Sequence, residues 1–319
     1  MASKMRAARA EQDDPLPSWN DGSAKRSILE FVEAVTDESG ADHVPAAARI
    51  AVFDNDGTLW CEQPLYIQLA FALDQVKALA REHPDWRAKQ PFKAVLEDDR
   101  QALGAAGVKG ILELVAATHS GMTTDEFERT GKDWFATAQH PRFNRPYMDL
   151  AYQPMRELLE HLRANGFKTF IVSGGGIEFM RVVAERLYGI APDQVIGSSG
   201  KTRYELRNGA PAIVRLPELD FFDDKEGKPV AIQKFIGQRP LAAFGNSDGD
   251  QQMLQWTAAG PGRRLALLVD HTDAAREFDY RVSPMGRLDL ALAEAHERGW
   301  TVVSMKDDWK RIFAFETRN

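Results

Sequence analysis

Two carboxylates separated by one residue are the strongest chemical feature of this sequence. Asp54 and Asp56 lie in the segment Phe53–Leu59, directly after Arg49–Phe53, whose apolar residues predict a buried strand. The first carboxylate could attack phosphorus and form an aspartyl phosphate. The second could protonate the leaving oxygen and later take a proton from water. The alternative interpretation is a turn rich in Asp and Gly at the end of a strand.

Two further segments carry groups that could hold a phosphoryl group. Ser173 follows the predicted strand Lys168–Val172, and the glycines after it are expected to open a helix, so Ser173, Gly174 and Gly175 could donate to a phosphoryl oxygen. Lys228 is expected to begin a helix and could give the nucleophile and phosphoryl group a fixed positive charge. The alternatives are a tight strand-to-helix turn and a solvated surface lysine.

Oxygen-bearing side chains also follow the predicted strand Leu241–Phe244. Asn246, Asp248 and Asp250 lie within six residues of that strand, and hard cations such as Mg²⁺ prefer oxygen ligands. A divalent cation would offset the repulsion between a carboxylate nucleophile and the phosphoryl oxygens. A surface turn rich in Asn and Asp is the alternative.

The elements that must position these residues alternate between strand and helix. This alternation predicts an α/β fold, a Rossmann-like, doubly wound and mainly parallel sheet with helices on both faces. Ligands of such sheets bind beyond the carboxyl ends of the strands. Asp54, Ser173 and Asn246 each lie at such an end, so we expect them to converge on one crevice. Further strands are predicted at Arg264–Val269 and Thr301–Ser304.

The intervening sequence divides the chain into segments. Residues 1–22 are polar and predict a mobile arm, whereas residues 23–59 and 153–319 predict the catalytic core. Residues 60–152 contain little strand signal and predict a helical insertion. Asn208 and Gly209 predict a small β-hairpin over residues 201–216. Helices of the insertion are expected at Pro64–Ala80, Phe92–Leu103, Ile111–Thr118 and Thr123–Ala138, and core helices at Ser23–Thr36, Pro154–Ala164, Pro229–Ile236, Leu288–Arg298 and Asp307–Phe313.

Taken together and in this order, the four segments resemble the haloacid dehalogenase superfamily of phosphohydrolases. The resemblance extends over roughly Arg49 to Val269, and the Asp-Asn-Asp-Gly-Thr segment is its most specific part. The layout is most similar to the phosphoserine phosphatase branch. That similarity implies a cap domain between the first two motifs, and the 119 residues from Asp54 to Ser173 leave room for the helical insertion to form it.

The resemblance also implies a role for individual residues. Thr58 and Ser173 would hold phosphoryl oxygens, together with the neighbouring Gly174 and Gly175. Asp54 would be the nucleophile, and Asp56 the acid and base. Catalytic roles are implied for Asp54, Asp56 and Lys228, and metal ligation for Asp54, Asp56, Asn246 and Asp250.

Two positions depart from the pattern of the superfamily. Asn246 stands where the fourth motif usually has Asp; its amide oxygen can ligate Mg²⁺ but brings no negative charge, and Asp248 is an alternative ligand. Glu62 resembles the substrate-binding Glu that follows the first motif of the phosphoserine phosphatase branch, but the spacing is one residue shorter. The start of a helix is the alternative for Glu62.

The presence of Asp56 favours phosphate ester hydrolysis over dehalogenation, because expelling a halide needs no proton and dehalogenases typically lack this residue. We therefore expect a Mg²⁺-dependent phosphomonoester hydrolase that acts on a small phosphorylated metabolite through an aspartyl phosphate. A catalytically weak ligand-binding protein and a phosphomutase are the alternatives.

Composition restricts the possible partners. The net charge of −7 makes a nucleic acid partner unfavourable, and no segment has the roughly 18–20 consecutive apolar residues of a membrane span. The first residues lack an apolar signal region, which predicts a cytoplasmic location, or a periplasmic or secreted one if a signal peptide was removed. Cys61, the one cysteine, is interpreted as a packed thiol, and His271 as part of a surface turn. The oligomeric state stays open.

Overall fold

A seven-stranded sheet organises the fold of residues 14–283 and 285–316, which are the residues that the computed structural model describes. The strand order is β6-β5-β4-β1-β7-β8-β9, and all neighbours run parallel except β5 and β6, which form an antiparallel hairpin. This confirms the expected Rossmann-like α/β fold. The strands of this sheet are β1 (Ile50–Phe53), β4 (Lys168–Gly176), β5 (Val195–Arg207), β6 (Ala210–Phe221), β7 (Ala242–Gly245), β8 (Leu265–Asp270) and β9 (Thr301–Ser304).

The central strands are buried on both faces. Every residue of β1 and β7 is buried, which explains why they appear in the sequence as continuous apolar runs rather than as alternating patterns. Phe53 of β1 pairs in register with Ile171 of β4 and Phe244 of β7, and its ring stacks on that of Phe244 at 4.3 Å. The residues that follow these three strands therefore lie at one edge of the sheet.

Helices surround the sheet and fill the segment between β1 and β4. The first helix begins and ends as expected, whereas the predicted helix Asp307–Phe313 is wrong beyond Asp308. The helices are α1 (Ser23–Thr36), α2 (Ile67–Leu79), α3 (Phe92–Leu96), α4 (Arg100–His119), α5 (Thr124–Thr137), α6 (Gln153–Ala164), α7 (Ile177–Arg181), α8 (Ala184–Tyr188), α9 (Gly227–Ala231), α10 (Gln251–Ala258), α11 (Leu290–Arg298) and α12 (Met305–Asp308). A π-helical turn, Ile232–Ile236, continues α9. No helix among the described residues combines the length and apolar content needed to cross a membrane.

The expected N-terminal arm is corrected over its last residues. Residues 1–13 lie outside the described part of the chain, but Leu16 and Trp19 are buried in the main core. The indole of Trp19 donates to the carbonyl of Pro154 at 3.0 Å and packs edge-on against Trp309. Two large apolar side chains within a polar, proline-containing stretch are enough to fix this segment to the core.

The helical insertion has a hydrophobic cluster of its own, but a smaller one than residues 60–152 suggested. The cluster includes Leu69, Trp86, Phe92 and Leu114 from α2, α3, α4 and the loop between α2 and α3. The aromatic residues of α5, by contrast, belong to the main core, where Phe135 packs against Trp60 and Phe179. A short two-stranded sheet, β2 (Gln139–His140) and β3 (Arg145–Pro146), precedes the return of the chain to α6.

The predicted hairpin is present and longer than residues 201–216. Asn208 and Gly209 at its tip have φ angles of 53° and 81°, the left-handed pair that a two-residue type I′ turn requires. β5 starts inside the main sheet, so the hairpin is an extension of that sheet. Its β6 strand reaches the turn between α4 and α5, where the backbone of Arg215 pairs with Gly121 and Met122 at 2.9 and 3.0 Å.

Candidate active site

A cavity of about 420 Å³ lies at the carboxyl edge of the sheet, between that edge, α4 and the β5–β6 hairpin. Its polar lining includes residues from the segments that were expected to converge there, and most of its apolar lining comes from α4 and β6. The expected site residues that line it are Asp54, Asp56, Glu62, Ser173, Gly174, Gly175 and Lys228.

An ion-pair chain of Asp54, Lys228 and Asp250 forms the floor of the site. The Lys228 ammonium lies 2.8 Å from Asp54 Oδ1 and 2.5 Å from Asp250 Oδ1, and its side chain is 2% exposed. The other oxygen of Asp250 accepts from the backbone N–H groups of Asn246 and Ser247 at 2.9 and 3.0 Å. Asp250 therefore fixes Lys228, and Lys228 fixes the carboxylate that was expected to be the nucleophile.

The charges in this chain oppose the effect of burial. Burial raises the pKa of Asp54 to about 7, the charge of Asp250 adds to the increase, and Lys228 counteracts it. Burial alone would lower the pKa of Lys228, but Asp250 and Asp54 outweigh that effect and raise it. The ammonium therefore stays charged and favours the ionised form of Asp54, the form that can act as a nucleophile.

Asp56 lines the same cavity as Asp54. The indole N–H of Trp60 donates to Asp56 Oδ1 at 2.7 Å. Burial raises the pKa of Asp56 to about 6, against the opposing influence of Trp60 and Lys228. A carboxyl group with such a pKa is protonated in a useful fraction of molecules near neutral pH, as general acid catalysis requires.

The glycines after Ser173 belong to β4, and the helix that they were expected to open starts directly after Gly176, its N-cap residue. The helix that follows, α7, has five residues and starts at Ile177. A Cβ on Gly175 would lie 3.4 Å from Asp56 Oδ2 and 3.7 Å from Ser173 Oγ. The absence of a side chain at this position keeps open the space between the Asp56 carboxyl group and the Ser173 hydroxyl.

Thr58 and Asn246 are placed differently from their expected roles. The Thr58 hydroxyl donates to Asn246 Oδ1 at 3.0 Å, and Asn246 Nδ2 donates to Glu62 Oε1 at 2.9 Å. Both Thr58 and Asn246 are buried beside the cavity and do not line it. The structure thus places neither the Thr58 hydroxyl on a phosphoryl group nor the Asn246 oxygen on a metal in the cavity.

Asp250, an expected metal ligand, and Asp248, the alternative to Asn246, are also bonded elsewhere. Asp250 is bound to Lys228 and the backbone, as described above, and Asp248 accepts from the N–H groups of Asp289 and Ala291 at the start of α11. No group of three or more His, Cys, Asp or Glu side chains in residues 14–283 and 285–316 lies close enough together to hold a metal ion as it stands. The acidic residues that line the cavity are Asp54, Asp56, Glu62, Glu178, Glu218 and Asp224.

Two acidic residues at the end of β6 were not singled out from the sequence. Asp224 lines the cavity, and the fully buried Asp223 lies beneath it. Burial raises the pKa of Asp223 to about 7, although Lys228 opposes the increase. The adjacent Asp pair shortly before Lys228 was the signal, and it was missed because the hairpin was expected to end at residue 216, whereas β6 continues to Phe221.

A buried polar network supports the loop that carries Asp54 and Asp56. The His271 ring donates from Nε2 to the Gly57 carbonyl at 2.7 Å and contacts Glu277 through Nδ1 at 3.3 Å. The Cys61 thiol donates to Glu277 at 2.9 Å. His271 is 2% exposed, so its interpretation as part of a surface turn is wrong, and its role is to fix the backbone of the loop.

Comparison with known proteins gives one family and a set of similar folds. A model of haloacid dehalogenase-like hydrolases matches residues 51–255. The solved structure of a conserved functionally unknown protein from Anaerococcus prevotii DSM 20548 is 17% identical, with 88% of this chain and 91% of that chain covered and a TM-score of 0.57. A protein with unknown function from Bordetella pertussis Tohama I is 18% identical, with coverages of 81% and 98% and a TM-score of 0.49. No curated protein matches the sequence.

Proposed function

This chain belongs to the haloacid dehalogenase-like hydrolases, and from that membership we propose that it is a phosphomonoester hydrolase with Asp54 as nucleophile. The observation that carries the proposal is the pairing of the Asp54 carboxylate with the buried Lys228 ammonium, at 2.8 Å, in a cavity that Asp56 also lines. A nucleophile, a proton donor and a fixed positive charge in one cavity are the groups that phosphoryl transfer requires.

The proposed reaction has two steps. The Asp54 carboxylate attacks phosphorus, an O–P bond forms, and the bond to the leaving alcohol breaks as Asp56 gives that oxygen its proton. In the second step Asp56 takes a proton from water, the water oxygen attacks phosphorus, and the bond to Asp54 breaks to release phosphate. Lys228 holds Asp54 in place through both steps, and the Ser173 hydroxyl is the donor nearest to the space kept open by Gly175.

We include Mg²⁺ as the cofactor of this reaction. The Asp54 carboxylate and the backbone carbonyl of Asp56 are the oxygens that would hold it, since both residues line the cavity and Mg²⁺ prefers oxygen ligands. When bound, the cation offsets the negative charge of the phosphoryl group as the carboxylate approaches. Asn246 and Asp250 lie beside the cavity with their side chains already bonded, so the arrangement supports only part of the expected ligand set.

The cavity also supports a proposal for the leaving group. Its apolar walls come mainly from α4 on one side and β6 on the other, and α4 belongs to the helical insertion, which would therefore act as a cap over the carboxylates. An alcohol with an apolar surface would contact these walls. The apolar residues lining this part are Leu69, Ile111, Leu112, Val115, Ala116, Leu216, Pro217, Leu219 and Phe222.

Phosphate release from a panel of small phosphomonoesters, measured with Mg²⁺ and with EDTA, tests the proposal. Asp54→Asn should lower turnover by about 10⁴-fold or more because the amide cannot form the covalent intermediate. Asp193→Asn, at an exposed position, is the matched control and should retain wild-type turnover. Turnover by folded Asp54→Asn close to that of the control would show that Asp54 is not the nucleophile.

A catalytically weak ligand-binding protein is the second candidate, and it is favoured by the hydrogen bonds that already occupy the side chains of Asn246 and Asp250. Such a protein would bind phosphate or a phosphomonoester without releasing phosphate from any member of the panel. A phosphomutase would instead move the phosphoryl group to another hydroxyl, which phosphorus NMR of the products distinguishes from release.

A further inference from the structure

A second cavity, of about 260 Å³, lies at the amino edge of the sheet, opposite the edge that carries the candidate active site. Its lining comes from the segments that lead into β1, β7 and β8, which run parallel and therefore begin at one edge. No residue lines both cavities. The lining residues are 41–44 and 48 before β1, 238, 239 and 241 before β7, and 261–264 before β8.

This cavity has an excess of positive charge. Arg239, Arg263 and Arg264 line it, and Asp42 is the one acidic residue among its lining residues. The ion pairs found in residues 14–283 and 285–316 involve other arginines, so none of these three guanidinium groups is paired with a described carboxylate. In a chain with a net charge of −7, three unpaired arginines around one cavity are a local reversal of charge.

Two of the three arginines lie close to each other. A Cβ on Gly260 would lie 2.4 Å from Arg264 Nε and 2.9 Å from Arg239 Cδ, so the absence of a side chain at Gly260 makes room for both. Burial and the charge of Arg239 both lower the pKa of Arg264. Like charges this close destabilise each other, and an anion that contacts both guanidinium groups would offset that repulsion.

One of these two guanidinium groups is fixed, and the other has a donor without an acceptor. Arg239 donates from Nη1 to the carbonyl of Trp256 at 2.9 Å, and its guanidinium lies 3.6 Å from the centre of the Trp256 ring. Arg264 Nε, by contrast, is buried and has no hydrogen-bond partner among the described residues. A buried donor left without an acceptor is unfavourable, so the Arg264 N–H is placed to donate to a ligand.

We propose that this cavity binds a small phosphate dianion, with Arg239 and Arg264 as its main contacts and the exposed Arg263 adding positive charge. Guanidinium groups present paired N–H donors that match the oxygens of a phosphate group. The volume is below the roughly 300–1,000 Å³ of sites for drug-sized ligands, which suits an anion of this size. The site is separate from the catalytic one and does not depend on the proposed hydrolase activity.

NMR of the arginine side chains during a titration with inorganic phosphate tests the proposal at the site itself. In the full chain labelled with ¹⁵N-arginine, in EDTA and at constant ionic strength, the Nε–Hε signal of Arg264 is identified by its loss in Arg264→Lys. This signal should shift and then saturate as phosphate is added, because the N–H gains an acceptor. A signal that does not move at millimolar phosphate would overturn the proposal.

Charge-neutralising variants separate this site from general attraction of anions to the surface. Calorimetry of phosphate binding should show affinity about tenfold or more weaker in Arg239→Gln and in Arg264→Gln, because each removes a charged donor. Arg186→Gln, at an exposed position outside the cavity, is the matched control and should bind phosphate as the wild-type chain does. Thermal unfolding checks that each variant is folded, and the Arg264 variant decides the test if Arg239→Gln, which also loses its contacts with Trp256, does not fold.

Asp54→Asn separates this cavity from the active site. The Arg264 signal should respond to phosphate in Asp54→Asn as it does in the wild-type chain, because Asp54 lines only the other cavity. A response that is lost in folded Asp54→Asn would place the phosphate in the active site and overturn the proposal. Equal phosphate affinities of Arg264→Gln and Arg186→Gln would overturn it as well.

Discussion

Gly57 is the residue at which the nucleophile loop, Glu62 and Asn246 meet. Its φ angle of 75° favours glycine, and a Cβ there would lie 2.1 Å from Asn246 Nδ2. We expect Gly57→Ala to lower the free energy of unfolding by about 1–3 kcal/mol, because the new methyl group must strain the backbone and displace two buried side chains. Urea unfolding measures the loss, and phosphate release should fall with it.

Gly209→Ala provides the matched control for this prediction. Gly209 has a similar φ angle of 81°, but nothing lies within 4 Å of the position that its Cβ would take. The loss of unfolding free energy in Gly209→Ala therefore measures the backbone strain alone. Any larger loss in Gly57→Ala measures the steric crowding of the new methyl group against Asn246 and Glu62. Equal losses in the two variants would show that the contacts of Gly57 with Asn246 and Glu62 are unimportant.

His119, at the end of α4, makes stability depend on pH. Its ring is buried against Phe71 and Phe127, and burial together with the charge of Arg215 lowers the pKa of His119 to about 3. In the unfolded chain a histidine takes up a proton near pH 6.5. Between these values the unfolded state binds more protons than the folded state, so stability is lost as the pH falls below about 6.5.

At pH 5 the neutral His119 should lower the free energy of unfolding by about 2 kcal/mol, because each pH unit below the unfolded pKa costs about 1.36 kcal/mol. The free energies of unfolding at pH 7.5 and pH 5 should therefore differ less in His119→Phe than in the wild-type chain, by about that amount. The buried acids have raised pKa values and therefore favour the folded state as the pH falls, but they are present in both the wild-type chain and His119→Phe. An unchanged difference would contradict a neutral His119.

At the scale of elements, sequence patterns within a few adjacent residues correctly predicted where a helix starts and where a hairpin turns. The helix predicted to begin at Thr123 is confirmed, and it starts with a capping box in which Thr123 Oγ1 and the Glu126 carboxylate each accept from the other's backbone N–H, at 3.1 and 2.7 Å. The turn at Asn208 and Gly209 is confirmed for the same reason. The break predicted between Leu103 and Ile111 is present, because Gly107 has non-helical φ and ψ and makes α4 two helical segments joined by a kink, but the first predicted helix wrongly joined α3 to the start of α4.

The convergence of the site could be predicted because parallel strands end at one edge of a sheet, which brings Asp54, Ser173 and Asn246 together whatever their side chains do. The orientation of those side chains could not. The contact of Asn246 with Glu62 joins residues 184 positions apart, and that of His271 with Gly57 joins residues 214 apart. Such contacts depend on the packed structure and leave no periodic pattern in the sequence.

The contact between the hairpin and the helical insertion depends on Arg215. Its guanidinium pairs with Glu178 at 2.9 Å, donates to the carbonyl of His119 at 3.0 Å and lies over the Phe127 ring, and its side chain is 11% exposed. Lysine cannot make the planar set of contacts. We expect Arg215→Lys to lower the free energy of unfolding by about 1–3 kcal/mol, measured in urea.

Arg203→Lys is the matched control on the same hairpin. Arg203 pairs with Glu205 of its own strand, and its side chain is 61% exposed, so the change should cost about 0.5 kcal/mol or less. If the two substitutions had equal effects, the hairpin would not be fixed to the insertion through Arg215.

At the scale of the whole molecule, one cavity combines a charged floor with apolar walls contributed by distant parts of the chain. Leu112 of α4 and Leu219 of β6 both line it, and they are 41% and 48% exposed. Large apolar side chains this exposed are costly to leave in water unless they contact something when the protein acts. The leaving alcohol of the proposed reaction is the group that the walls are placed to contact.

Alkyl phosphates of increasing chain length test this interpretation. Each methylene buried against the walls contributes about 0.8 kcal/mol, so kcat/KM should rise about fourfold per carbon until the cavity is filled. Leu219→Asp should flatten this dependence while changing turnover of the shortest ester little, because the charged floor is untouched. Leu206→Asp, on β5 and 63% exposed outside the cavity, should keep the wild-type dependence. A chain-length dependence that is flat in the wild-type protein, or unaltered in Leu219→Asp, would mean that these walls do not bind the leaving group, and selectivity would then lie in the polar contacts around Asp56 and Ser173.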